Sequence, residues 1–73
     1  MNKIEIGHTA GKIWHLLDDE GELFVTEIRD KLNIEEPLLY LALGWLCREN
    51  KIHCSEKEGK LILSQNVPNG FFG

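Results

Sequence analysis

Apolar positions recur with a helical period over residues 2–19, where Ile6, Ala10, Ile13 and Leu17 follow one another at spacings of four, three and four. Trp14 and Leu16 widen this stripe, so the segment predicts a first helix with one broad apolar face. Gly7 and Gly11 each cost about 1 kcal/mol relative to Ala inside a helix, and with Ala10 they leave a smooth strip on its surface. Either a neighbouring helix of the same chain packs there or a second subunit does. Gly21, after Asp18, Asp19 and Glu20, suits a left-handed helix end.

The period changes at Leu23, Phe24 and Val25, which read as a minimal strand. Thr26 is then placed to cap a short helix over residues 27–32, with Glu27 at its positive end and Ile28 and Leu32 facing inward. Asn33 and Ile34 make a tight link, and Pro37 fits the first turn of the next helix.

That next helix, over residues 35–50, is apolar nearly all round. Leu39, Ala42, Leu43 and Leu46 share one face, while Leu38, Leu41 and Trp45 form a second face roughly 140° away. One small domain covers the first face, and the second calls for a partner surface. Asn50 ends the helix, being one of the few non-glycine residues that tolerates a left-handed conformation.

Two further apolar runs, Ile52-His53-Cys54 and Leu61-Ile62-Leu63, bracket Glu56-Lys57-Glu58-Gly59 and predict a β-hairpin. The domain is expected over residues 1–64, with an irregular tail over 65–73 signalled by Pro68 and Gly70. Phe71 and Phe72 either dock on an apolar groove or belong to a disordered end.

Composition adds bounds to this pattern. Seventy-three residues, 42% hydrophobic and 27% charged, make one small globular domain whose core is modest unless an oligomeric contact adds to it. The formal charge of −4 argues against a strong non-specific grip on nucleic acid or on an anionic membrane. The longest apolar run, residues 38–47, is ten residues and falls far short of a membrane span. The N-terminal residues lack the charged-then-apolar order of a signal peptide, so a cytoplasmic location is expected.

Little in the chain suggests chemistry. Cys47 and Cys54 are too few for a disulfide scaffold and are expected as reduced, partly buried thiols. His8 and His15 are seven apart, and His53 and Cys54 lie near Cys47, but these spacings match no standard zinc pattern. No cofactor, metal or small-molecule substrate is expected. A Cys-His catalytic pair lacks an orienting third residue, and there is no glycine-rich phosphate loop.

The order helix, minimal strand, short helix, tight turn, longer helix and hairpin resembles a winged helix-turn-helix domain. The words at the joins agree: ALGWLCRENKI is similar to the end of a third helix running into the wing, with Asn50 where that family often has Gly. TAGKIWHLLDDEG and ALGWL together resemble a small bacterial winged-helix family of unknown function, over about residues 4–64. The resemblance implies an α+β fold with a two-stranded C-terminal wing. It also implies that the third helix and wing are the surfaces that meet a target, as in DNA readers.

Carried onto this sequence, the outward positions would be Leu38, Leu41, Trp45 and Arg48, three of them apolar where DNA readers need polar side chains. From residue 26 to 50, Arg29, Lys31 and Arg48 stand against Glu27, Asp30, Glu35, Glu36 and Glu49, so the unit is net acidic. The expected role is therefore a non-enzymatic winged-helix module that forms a homodimer. Leu38, Leu41 and Trp45 would lie at its interface, joined by the Gly7-Gly11 strip or by Phe71 and Phe72. Regulation through a protein partner is an extension of that role. The alternative is a DNA-binding regulator using Arg48, Lys51, Lys57 and Lys60 on phosphates.

Overall fold

Asn2 starts the first helix, α1 (Lys3–Glu20), by accepting the Glu5 backbone N–H on its side-chain oxygen at 2.8 Å. Gly21 ends it with φ 81°, donating its N–H to the Leu17 carbonyl at 2.7 Å. The computed structural model describes residues 1–66, so Phe71 and Phe72 lie outside the described residues. Through Ala10, Ile13 and Leu17, α1 presents the expected stripe to the core.

Strand β1 (Leu23–Phe24) leads directly into α2 (Val25–Leu32). The helix starts at Val25, ahead of the expected cap Thr26, because the buried Val25 draws the first turn onto the core. Phe24 stands at the cap position, and its backbone N–H donates to the Glu27 carboxylate at 2.9 Å. Asn33 closes α2 in the left-handed region, at φ 52°.

Helix α3 (Glu36–Arg48) has Pro37 in its first turn and buries Leu39, Ala42, Leu43 and Leu46, the face predicted. It stops two residues short of the expected end. Asn50 nevertheless adopts φ 57° just beyond it, and Lys51 N–H reaches the Leu46 carbonyl at 3.0 Å.

The hairpin pairs β2 (Ile52–Lys57) with β3 (Lys60–Gln65), so both strands run further than their apolar runs suggest. Only Glu58 and Gly59 remain as the turn, both with positive φ, at 54° and 78°. β3 continues one residue past the expected domain boundary. It lies in the middle of an antiparallel sheet ordered β1-β3-β2, with Leu23 opposite Leu63 and Cys54 also opposite Leu63. The side chain of Gln65 donates to the Trp14 carbonyl at 3.1 Å, tying the wing's inner end to α1. Leu63, Ile52 and Leu23 add the sheet's share to the three-helix core.

Candidate functional site

The turn at Asn33 and Ile34 sets α3 on the surface with a whole flank away from the core. Tyr40, Leu41 and Trp45 are 52%, 49% and 42% exposed there, so the second apolar face reaches solvent. Pro37, Gly44 and Arg48 complete the flank, and a methyl group built at Gly44 would meet no atom within 4 Å. Leu38 behaves differently. It is half-buried in an open cleft of about 350 Å³ that it lines with Glu5, His8, Lys12 and Glu35. The exposed apolar face of α3 therefore keeps Leu41 and Trp45 but has Tyr40 in place of Leu38.

Carboxylates frame this flank. Glu35 and Glu36 stand at the N-terminal end and Glu49 at the C-terminal end, all exposed. Arg29 approaches Glu36 at 4.0 Å, a distance at which an exposed pair neutralises little. A phosphate nearing the start of α3 would meet negative charge where the helix dipole alone would welcome it.

On its α1 side, Trp45 lies over Gly7, where an added Cβ would come 3.7 Å from the indole ring. Part of the glycine strip thus receives a helix of the same chain. Gly11 has nothing within 4 Å of such a Cβ, and it floors a groove of about 250 Å³ whose walls include Trp14, Trp45 and Lys51. Ile4, on the same side of α1 as Gly7 and Gly11, is 82% exposed.

The wing distributes its cations thinly. Lys57 and Lys60 face each other across the strands at the tip, beside Glu56 and Glu58. Lys51 lies at the far end of β2, roughly 20 Å from Lys57 at the usual strand rise, and lines the groove instead. Arg48, Lys51, Lys57 and Lys60 do not form one continuous basic stripe.

Cys47 and Cys54 are both free and exposed, where partial burial was expected: Cys47 is not among the buried residues of α3, and the edge strand β2 turns only Ile52 fully inward. Partial loss of water, then Cys47 and the Glu56 carboxylate, push the Cys54 thiol above its ordinary value. Among the described residues no three His, Cys, Asp or Glu side chains gather to hold a metal ion, and no helix is long and apolar enough to cross a membrane.

Tyr40, Gly44, Ile4 and Leu61 were not singled out by the sequence pattern. Tyr40 and Gly44 fall between Pro37 and Arg48 at helical spacing, so a wheel centred on exposure rather than on aliphatic residues finds them. Leu61, 44% exposed opposite Glu56, carries no comparable signal because strand alternation assigns it to the face of the buried Leu63.

A short helix, a tight turn and a second helix, followed by a hairpin that shares its sheet with a minimal strand, define a winged helix-turn-helix domain. Residues 1–65 match the family described as winged helix-turn-helix domain (DUF2582), and the chain belongs to it. The uncharacterized protein MJ1608 of Methanocaldococcus jannaschii is 39% identical over 62 residues, covering 81% of this chain and 87% of that protein. The solution structure of protein BT2368 from Bacteroides thetaiotaomicron is 35% identical, with a TM-score of 0.78 over 99% of this chain and 84% of that one. The Zalpha domain of Carassius auratus PKZ, crystallised in complex with Z-DNA, superposes with a TM-score of 0.70 over 82% of this chain and 95% of that domain. At 17% identity that likeness establishes the fold alone.

Proposed function

We propose that the protein is a non-enzymatic, cytoplasmic winged-helix module whose third helix pairs with a second copy of itself. The observation that carries this reading is the exposed Tyr40-Leu41-Trp45 flank on the helix that winged-helix proteins direct at their targets. An aromatic and aliphatic patch of this kind gains by leaving water, whereas it offers few donors to base edges.

The flank is also self-complementary. Two α3 helices crossing antiparallel about a point midway between Leu41 and Gly44 would set Leu41 of each against the bare backbone at Gly44 of the other. In the same register Arg48 falls opposite Pro37 of its twin, one residue from the exposed Glu36, near enough for the two charges to attract. The two free thiols suit a reducing compartment. A protein partner presenting a similar apolar face would use the same flank, which is how such a module would serve regulation.

Sedimentation velocity at micromolar concentration tests the pairing. A dimer is expected for the native chain and a monomer for Leu41→Glu; a native chain that sediments as a monomer even at high concentration overturns the reading.

DNA binding is the second reading, favoured by the Z-DNA complex of the Zalpha neighbour and by exposed Arg48 and Lys51 at the end of α3. It rests on Arg48, Lys51, Lys57 and Lys60 as phosphate contacts. Titration with mixed-sequence and Z-form duplexes at low salt checks it. Binding that falls steeply as salt rises supports it, and retained monomer mobility of the duplex removes it.

A further inference from the structure

The groove between α1 and α3 has a floor without side chains, at Gly7 and Gly11, and Trp14 and Trp45 stand in its walls. Indole faces and bare backbone together suit a flat ring, which meets them over its whole area where a branched group would leave gaps. The groove's roughly 250 Å³ falls below the ~300 Å³ at which drug-sized pockets begin. It exceeds the ~150 Å³ of an apolar cavity that takes one benzene. One ring or two fused rings therefore match it.

Charge narrows the ligand further. His15 and Lys51 are the titratable residues that line the groove, and no carboxylate of the described residues joins them, although acidic residues outnumber Lys and Arg by 12 to 8 in the chain. Among the described residues the ion pairs engage the N-terminus, Arg29 and Lys31, so Lys51 keeps its charge for the groove. Its backbone is fixed there: Lys51 N–H donates to the Leu46 carbonyl at 3.0 Å, and the Lys51 carbonyl accepts the Asn66 N–H at 3.0 Å. From that fixed point a flexible stem carries the ammonium over the rim. Trp14 is also held, by Gln65 on its carbonyl and by the His15 ring, which meets the indole edge-on with centroids 5.7 Å apart. One wall and the cation's point of attachment are thus in place before a ligand arrives, which lowers the cost of binding.

The geometry points to a binding site for a small planar aromatic carboxylate, its ring stacked over Gly11 between Trp14 and Trp45 and its anionic group paired with Lys51. A neutral ring of the same size gains the stacking without the ion pair, and a cationic one is repelled. Neither Tyr40 nor Leu41 lines the groove, so occupancy of the site does not depend on the pairing of two α3 helices. The glycine strip, on this account, is the seat of a ligand and not a subunit contact.

Titration of the full chain with naphthoate, two fused rings bearing one carboxylate, tests the site by magnetic resonance. Saturable shifts are expected at the indole N–H of Trp14 and Trp45 and at the Gly11 amide, with a Kd of about 1 mM or tighter for a ligand of this size. Naphthamide, its neutral counterpart, should bind about fivefold more weakly, the upper end for an exposed charge pair. Lys51→Gln should weaken naphthoate by the same factor and leave naphthamide unchanged, whereas Lys57→Gln at the wing tip should affect neither. Gly11→Leu fills the seat without displacing any neighbour, so it should abolish binding of both while the helical circular dichroism is retained. Shifts that do not saturate at several millimolar, or that centre on Tyr40 and Leu41, overturn the inference. Equal affinity for naphthoate and naphthamide overturns it too, as does a Lys51→Gln chain that binds naphthoate like the native one. Loss of the α3 dimer with naphthoate binding intact would sink the proposed function and leave this site standing.

Discussion

Ile13 and Leu41 are both helical aliphatic residues, but truncating them should have opposite readouts. Ile13 is wholly buried at the centre of the core, so Ile13→Ala is expected to cost about 2–5 kcal/mol of folding stability in denaturant titration. Leu41 is half exposed, and Leu41→Ala should change the stability of the monomer by no more than about 0.5 kcal/mol while weakening self-association. A third residue responds to pH. Because the Cys54 thiol is raised in the folded chain, the unfolded chain surrenders its proton first as pH climbs, and folding stability declines through that window. In a Cys47→Ser variant, alkylation of Cys54 by iodoacetamide should reach half its maximal rate at a higher pH in the native chain than in urea. A native profile at the same or lower pH would contradict the assigned cause.

The elements differ in how plainly their residues announce them. The buried faces of α1 and α3 were legible because a 3.6-residue period over three or more turns admits one helix orientation. The start of α2 was not. Thr26 is a good capping residue, but burial of Val25 set the boundary, and Glu27 supplied the carboxylate from inside the helix. The wing strands outran their apolar runs for a related reason. Cross-strand pairing of Glu56 with Leu61 and Lys57 with Lys60 extends the ladder into charged residues that hydropathy assigns to a loop. The tight turn that results leaves Glu58 at φ 54°, a conformation that Asn tolerates better than Glu. Glu58→Asn should therefore stabilise the domain by about 1 kcal/mol, seen as a later denaturation midpoint. On α3, the pattern predicted a second apolar face, of which Leu41 and Trp45 are exposed, but it placed Leu38 there as well. Leu38 instead turns into the cleft beside His8 and Lys12, a tertiary contact between α1 and α3 that no local spacing encodes.

At the scale of the whole molecule, the winged-helix topology and the surface it carries point in different directions. The fold brings α3 and the wing to the side where DNA readers meet their duplex. Its charge of −4, with Glu35, Glu36 and Glu49 framing α3, works against that partner. The apolar flank instead favours a second copy, and a 73-residue domain gains from any core added by association. Contacts between subunits on an exposed, mostly apolar flank should persist at high salt, unlike phosphate contacts. Isotope-filtered Overhauser spectroscopy on a mixture of ¹³C-labelled and unlabelled chains tests this most directly. The account predicts cross-peaks between copies linking the Leu41 methyl groups to Gly44 Hα. A concentrated sample that shows no such cross-peaks, with Leu41 shifts unchanged on dilution, would contradict it.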